Sequence, residues 1–169
     1  MTDTPKHFFG IDPGKTGAIA RWTPSERKWF VLDMPTQEIA KRGGSKKIID
    51  HKVLAAVMSA MALPDSAACI ELVASRTGQG VVSVFDFGLS FGAAKQALAS
   101  AGLPYVEHTP QVWKKFHCIP AGSDKEFSRL LAIRNFPAQA DLLKRKKDNG
   151  RAEAMLIAEF LAGQYGVTR

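Results

Sequence analysis

The sequence contains few cysteines and no long apolar run, and each of these absences excludes a class of protein. Its two cysteines, Cys69 and Cys118, lack the spacing of metal ligands, and Cys69 lies in an apolar run typical of a reduced core residue. No apolar stretch is long enough to cross a bilayer, and the polar start of the chain is unlike a signal peptide. These features favour a cytoplasmic protein that does not associate with membranes.

What the chain does contain is the ordinary composition of a globular protein. Its 169 residues are 46% hydrophobic and 23% charged, which is enough apolar material for one full core. We therefore expect a single domain over residues 1–169.

The charge is positive and unevenly distributed along the chain. The formal net charge is +7, and residues 111–151 hold ten lysines and arginines against four acidic residues. Such a surplus in about a quarter of the chain is typical of a surface that binds nucleic acid. The alternative is a basic surface that serves only solubility.

Asp12 ends the first apolar run of the chain. The pair Pro13-Gly14 then turns the chain, and a second apolar run begins at Gly17, a pattern that predicts a β-hairpin. A carboxylate at the end of a buried strand is costly unless it is paired, hydrogen-bonded or bound to a metal. The alternative is a turn-forming aspartate, which is common before Pro-Gly.

Periodicity and turn residues predict an alternation of strands and helices. An antiparallel meander of three strands comes first, and the later strands are separated by helices. A capping box at Ser123 is predicted to open the second-last helix. The predicted strands are 8–12, 17–22, 29–34, 67–73 and 104–108, and the predicted helices are 50–61, 84–101, 109–116, 123–136 and 149–163.

Three segments allow two interpretations each. Residues 36–47 carry four cations and are predicted to be a flexible loop, either a solvated connection or a contact with backbone phosphates. Residues 74–80 lack the phosphate-loop pattern and are interpreted as a mobile loop beside Glu71 rather than a nucleotide site. In the long helix, Phe85, Phe87 and Phe91 are predicted core residues, with an aromatic wedge into DNA as the alternative.

Two further carboxylates are predicted to lie near Asp12. Glu71 is the one charge in a short apolar run, near the strand end where open α/β sheets place their sites. Glu153 heads the apolar stripe of the last helix, which continues through Leu156 and Phe160 and must face the sheet. Glu153 is therefore either a partly exposed residue at a helix end or a member of the same cluster.

Asp148 lies just before the last helix, where it either caps that helix or turns toward the same cluster. Several oxygen ligands without a nearby histidine or cysteine suit Mg²⁺ or Mn²⁺ and disfavour zinc. Two such ions can cleave a phosphodiester by activating a water and stabilising the leaving oxygen. Together with a basic surface that holds phosphates, these residues predict a metal-dependent nuclease.

Four motifs in chain order resemble those of the RuvC-type Holliday junction resolvases, which belong to the ribonuclease H-like superfamily. Residues 10–14 (Gly-Ile-Asp-Pro-Gly), followed by Gly17-Ala18, are similar to the family's first-strand motif, and Ile70-Glu71 to its second-strand glutamate. Residues 110–115 (Pro-Gln-Val-Trp-Lys-Lys) and the helix that bears Lys125 resemble its junction-binding segment. Residues 146–154 resemble its C-terminal acidic motif. Sugar kinases and actin-like ATPases share the first motif, so the specificity comes from the four together.

The acidic motif departs from the bacterial pattern of two aspartates one helical turn apart. Here the acids are Asp148 and Glu153, five residues apart, which places them off a common helical face. The chain therefore looks more like the phage-borne and organellar relatives than the bacterial housekeeping enzyme. The role of Asp148 stays open between a metal ligand and a helix cap.

The resemblance implies a homodimer that cuts both strands of a four-way DNA junction with two Mg²⁺ ions, for which Mn²⁺ can substitute. It implies Asp12, Glu71, Asp148 and Glu153 as catalytic carboxylates and metal ligands, with Lys114 or Lys115 on the scissile phosphate. The residues predicted to bind backbone phosphates are Arg76, Lys114, Lys115, Lys125, Lys146, Lys147 and Arg151.

The predicted fold is α/β and ribonuclease H-like, a mixed five-stranded sheet with helices on both faces. The predicted function is that of a Mg²⁺-dependent crossover junction endodeoxyribonuclease. One alternative is a non-catalytic junction-binding protein on the same fold, although bare carboxylates repel DNA unless metals neutralise them. Another is an actin-like or kinase-like phosphotransferase, for whose second ATP-binding domain 169 residues leave little room.

Overall fold

Five strands open the protein, and the later strands alternate with helices as the sequence predicts. The computed structural model describes residues 4–72, 74 and 78–168. The strands are β1 (His7–Asp12), β2 (Ala18–Thr23), β3 (Lys28–Asp33), β4 (Thr36–Lys41), β5 (Gly44–Ile49), β6 (Ser66–Glu71) and β7 (Tyr105–His108). The helices are α1 (His51–Met61), α2 (Val81–Ser100), α3 (Pro110–Phe116), α4 (Lys125–Asn135) and α5 (Asn149–Gln164). In these described ranges no helix is long and apolar enough to span a membrane.

Five of the strands form one mixed sheet in the order β3-β2-β1-β6-β7. The pairs β1–β2 and β2–β3 are antiparallel, whereas β1–β6 and β6–β7 are parallel. This arrangement confirms the predicted five-stranded sheet and its antiparallel meander. Because β1 and β6 run in parallel at the centre of the sheet, their carboxyl ends meet at one edge.

Helices cover both faces of the sheet and divide the core into two layers. Phe8, Cys69 and Trp22 face a layer formed by α5 together with side chains of α3 and α4. Phe9 and Ile70 face the opposite layer, formed by α1 and α2. The split follows from the alternation of side chains along a strand, which sends odd and even positions to opposite faces. By the same alternation, Asp12 and Glu71 point to the α5 side.

A glycine allows α5 to lie unusually close to β1. A Cβ atom on Gly10 would overlap the carbonyl oxygen of Ala154 and the amide nitrogen of Ala158. Both obstacles are helix backbone, so neither can rotate away as a side chain would. The close approach matters for the site, because Gly10 is two residues from Asp12 and Ala154 is next to Glu153.

The segment predicted as a flexible loop is instead an antiparallel hairpin of β4 and β5, separate from the main sheet. Its strands carry charged and small residues rather than alternating apolar ones, so the periodicity that reveals a strand is missing. Backbone pairing and two tip glycines with positive φ, Gly43 at 82° and Gly44 at 155°, form the turn. The prediction of a flexible loop was therefore wrong.

Two local predictions in the helices need correction. Phe85 was predicted to be buried, yet 66% of it is exposed on the outer face of α2. The cap of α4 is Asp124 rather than Ser123, since the Asp124 carboxylate accepts the Phe127 amide at 3.0 Å. Ser123 instead donates to the carbonyl of Pro120 at 2.8 Å.

Candidate active site

Three carboxylates from distant parts of the chain lie near one another on the α5 side of the sheet. Asp12 ends β1 and Glu71 ends β6, and the register that pairs Ile11 with Ile70 places these two acids side by side. Strands in a sheet are about 4.8 Å apart, so the two carboxylates are neighbours. Glu153 enters from the first turns of α5, which packs directly on β1.

The pKa values of the first two acids show that these carboxylates interact. Burial, followed by the charge of Glu153, raises the pKa of Asp12 from 3.8 to about 6. Burial, followed by the charge of Asp12, raises the pKa of Glu71 from 4.5 to about 7. Burial and mutual repulsion therefore disfavour the charged forms of these acids, and raised carboxylate pKa values of this kind are common at functional sites.

Each carboxylate is also held by a neighbouring donor. The Asp12 Oδ1 atom accepts the Gly14 amide at 3.2 Å, and the Glu71 Oε2 atom accepts the Trp113 indole N–H at 2.9 Å. The Glu153 Oε1 atom lies 3.4 Å from the Ser128 hydroxyl and 3.7 Å from the Lys114 ammonium. These contacts fix the acids in place without removing the repulsion between them.

The donor chemistry of the cluster fits a hard divalent cation. Three carboxylates with no histidine or cysteine among them suit Mg²⁺ or Mn²⁺, and a divalent charge would remove the repulsion that raises the pKa of Asp12 and Glu71. Over residues 4–72, 74 and 78–168, however, no three His, Cys, Asp or Glu side chains are close enough together to hold an ion as they stand. A bound ion would compete with Lys114 for the Glu153 carboxylate, whose Oε1 atom lies 3.7 Å from that ammonium group.

Two of the predicted phosphate-binding lysines lie at the cluster. Lys114 lowers the pKa of both Asp12 and Glu71, and Lys125 lowers that of Asp12, so both ammonium groups lie within electrostatic reach. Lys114 and Lys115 line a cleft of about 560 Å³ that continues to Ser128 on α4. The cleft therefore brings two lysines next to the acids, since Ser128 lies 3.4 Å from Glu153.

The other predicted cations are distributed differently. Lys146 and Lys147 are exposed in the turn before α5. Arg151 donates to both oxygens of Asp33, at 2.6 and 2.8 Å, and therefore ties α5 to β3. Arg76 lies outside the described residues.

Asp148, the fourth predicted ligand, has a different partner in the structure. Its carboxylate is buried and accepts the backbone amide of Arg145 at 2.8 Å and two guanidinium N–H groups of the same residue at 2.9 and 2.6 Å. Arg145 accordingly keeps the pKa of Asp148 below its usual range, even though burial acts in the opposite direction. The structure therefore favours Asp148 as the residue that fixes Arg145, and we leave it out of the proposed ligand set.

Sequence reasoning missed the role of Trp113, whose side chain is completely buried between α3 and the sheet. Trp113 and Glu71 are 42 residues apart in the chain, so no local pattern pairs them. One signal was present: a tryptophan followed by two lysines in a short helix has an N–H that needs a partner when it is buried.

We expect Trp113→Phe to lower the rate of DNA cleavage, because Glu71 loses the hydrogen bond that holds its carboxylate. The indole N–H favours the charged form of Glu71, so its loss should raise the pKa of that acid further above about 7. Outer partners of metal ligands typically contribute about 10- to 100-fold, and the loss should be larger at pH 7 than at pH 9. Cleavage rates measured across this pH range test the prediction.

Trp22→Phe is the matched control, because Trp22 is also buried but packs against Trp29 and Phe136 away from the acids. Equal losses in the two variants, without a change in pH profile, would show that Trp113 acts only through packing.

Comparison with known proteins supports the fold. No family model and no curated protein matches the sequence. The structure is similar to that of Thermus thermophilus RuvC, with a TM-score of 0.55 and 17% identity over 95% of this chain and 96% of that chain. It is also similar to T. thermophilus RuvC in complex with Holliday junction substrate, with a TM-score of 0.60, 16% identity and the same coverage.

At this level of identity the likeness shows the fold, and it confirms the predicted ribonuclease H-like architecture. The suggested closeness to phage-borne and organellar relatives stays a prediction.

Proposed function

We propose that this protein is a metal-dependent, structure-specific DNA endonuclease that cuts four-way junctions. The observation that carries the proposal is the convergence of Asp12, Glu71 and Glu153, from three separate elements, with raised pKa values at the first two. The basic cleft beside these acids supports a polyanionic substrate. A branched substrate is supported by the fold, which this chain shares along nearly its full length with a protein solved on a Holliday junction.

In this proposal Asp12, Glu71 and Glu153 would hold Mg²⁺, or Mn²⁺ in its place. When bound, two such ions supply an activated water and stabilise the leaving oxygen of an in-line displacement. The chain's own contribution is positioning. In this proposal Lys114, which lies 3.7 Å from Glu153, would bind the phosphate beside the cut and release Glu153 as it does so. Lys115 and Lys125 would bind neighbouring phosphates.

A homodimer would allow two such sites to act on one junction. The outer face of α2 supports this part of the proposal, because Val81, Phe85 and Leu89 are 84%, 66% and 52% exposed at successive turns of one helix. An exposed apolar stripe of this kind is typical of an interaction surface. Sedimentation should then show twice the chain mass of 18.4 kDa for the wild type and the single mass for Phe85→Lys.

The direct test of function compares a labelled four-way junction with a linear duplex of the same sequence, with and without Mg²⁺. We expect paired nicks in the junction that require the ion, and little cutting of the duplex. Binding to the junction without product under Mg²⁺ or Mn²⁺ would contradict catalysis. That result would favour a non-catalytic junction-binding protein. The contact between Lys114 and Glu153 supports this alternative, because a lysine then takes the place of a metal ion beside that carboxylate.

A further inference from the structure

The β4–β5 hairpin is a cationic arm beside the candidate active site. Residues 36–49 contain four basic side chains and one acidic one, Glu38, which accepts a hydrogen bond from Ser45 across the hairpin at 2.9 Å. Lys41, Arg42 and Lys47 are exposed. Strands of six residues extend roughly 20 Å, so the arm is long enough to follow several phosphates of a DNA strand.

The hairpin leaves the sheet at the same end of the strands as Asp12. Asp12 pairs with Ala18 across β1 and β2, and Ala18 pairs with Asp33, the last residue of β3. The chain enters β4 three residues after Asp33. The base of the arm is therefore two strands away from the carboxylates, at the same level of the sheet.

A three-residue ion cluster fixes the arm in this position. Asp86 on α2 accepts Lys46 of the hairpin at 2.6 Å and Lys15 of the loop after Asp12 at 3.1 Å. The two lysines keep the pKa of Asp86 below its usual range. One carboxylate thus ties together the hairpin, the long helix and the loop that begins at the active-site aspartate.

The arm places positive charge on the side of the acids that the cleft does not reach. Lys114, Lys115 and Lys125 belong to α3 and α4, whose side chains pack with α5 on one face of the sheet. The hairpin is bound to α2, which packs on the opposite face of the sheet. DNA with its backbone at the carboxylates would have cations on both sides, and the polar hairpin surface suits phosphates better than an apolar partner.

We propose that the β4–β5 hairpin binds the phosphate backbone of a duplex arm next to the cut site, through Lys41, Arg42 and Lys47. This inference rests on the proposed function, because it takes DNA as the substrate. It deepens that function by assigning a second contact surface, separate from the cleft. Lys46 is left out of the contact set because it holds Asp86.

The test measures junction binding in the Asp12→Asn background, where cleavage cannot obscure it. The hairpin variant combines Lys41→Gln, Arg42→Gln and Lys47→Gln. The matched control combines Lys6→Gln, Arg27→Gln and Lys28→Gln, which removes the same charge from exposed positions at the far end of the sheet. Circular dichroism and thermal unfolding confirm that both variants fold.

We expect the hairpin variant to lose about 10-fold or more in affinity and the control to bind nearly as the wild type does. The slope of log affinity against log salt should fall by about two to three in the hairpin variant, since each phosphate contact contributes about 0.9. A double variant that keeps the charge, Lys41→Arg with Lys47→Arg, should retain affinity.

The outcomes separate this inference from the proposed function. A wild-type protein that cuts junctions, together with a hairpin variant of unchanged affinity and salt slope, would overturn the hairpin assignment alone and would favour an acidic protein segment as its partner. If the wild type never cuts junctions but its binding depends on the hairpin, the DNA-binding role of the hairpin would be supported and the proposed nuclease activity would be overturned. Failure of the wild type to bind DNA would overturn both.

Discussion

Replacing Asp12 with asparagine is expected to reduce junction cleavage by at least about 10³-fold, which corresponds to roughly 4 kcal/mol of transition-state stabilisation. Asp12 ends the central strand beside Glu71 and interacts electrostatically with Glu153. In the proposed site it shares a cation with each of these two glutamates. Asparagine keeps the shape of the side chain but removes the charge. Junction affinity should stay within a few fold, because Lys114, Lys115 and Lys125 are unchanged.

A single-turnover cleavage assay with Mg²⁺, run beside a gel-shift measurement, separates these two effects. Asp65→Asn is the control, because Asp65 is an exposed partner of Lys6 at the opposite end of β1. Cleavage by Asp12→Asn at the wild-type rate would rule out the proposed ligand set.

The same substitution should stabilise the protein when divalent ions are removed. The folded protein holds a proton on Asp12 up to about pH 6, whereas the unfolded chain loses it near 3.8. The free energy of unfolding therefore falls as pH rises between these values and stays lower above them. Asp12→Asn removes that penalty, on the order of 1–3 kcal/mol at pH 8. Urea unfolding in chelator at pH 4 and pH 8 measures it, and a variant less stable than the wild type at pH 8 would contradict the predicted repulsion.

Gly10→Ala is expected to destabilise the protein by about 3 kcal/mol or more, because the added methyl group would overlap the backbone of α5 at Ala154 and Ala158. Such a loss lowers the melting temperature by about 10 °C in a chain of this size. Relief requires α5 to move away from β1, and Glu153 would move with it. The cleavage rate per folded molecule should fall as well.

Differential scanning calorimetry and an activity assay normalised to folded protein test both parts. Gly88→Ala is the matched control, since among the described residues nothing lies within 4 Å of a Cβ placed there. A helical alanine at that position should leave stability unchanged or slightly higher. Unchanged melting of Gly10→Ala would show that α5 does not pack on β1 as closely as the structure indicates.

Much of the candidate site could be predicted because its members lie on elements with clear local patterns. Asp12 and Glu71 end apolar strands, and Glu153 heads the apolar stripe of α5, so each carboxylate points inward for a reason visible in its own neighbourhood. The hairpin could not be predicted in this way, since its strands lack alternating apolar residues. The predicted burial of Phe85 was wrong because an aromatic residue on a long helix does not reveal which face of the helix meets the core.

The sequence by itself determined the helices and the five strands of the main sheet, the placement of three acids at strand and helix ends, and the concentration of positive charge after residue 110. These are consequences of periodicity and composition, which act over a few residues. Only the tertiary structure decided which distant charges bind one another: Asp33 holds Arg151, and Asp86 holds both Lys15 and Lys46. Electrostatic pairing depends on distance in space, and Asp33 and Arg151 are 118 residues apart in the chain. Folding therefore selects which cations bind carboxylates of the protein itself and which face the cleft.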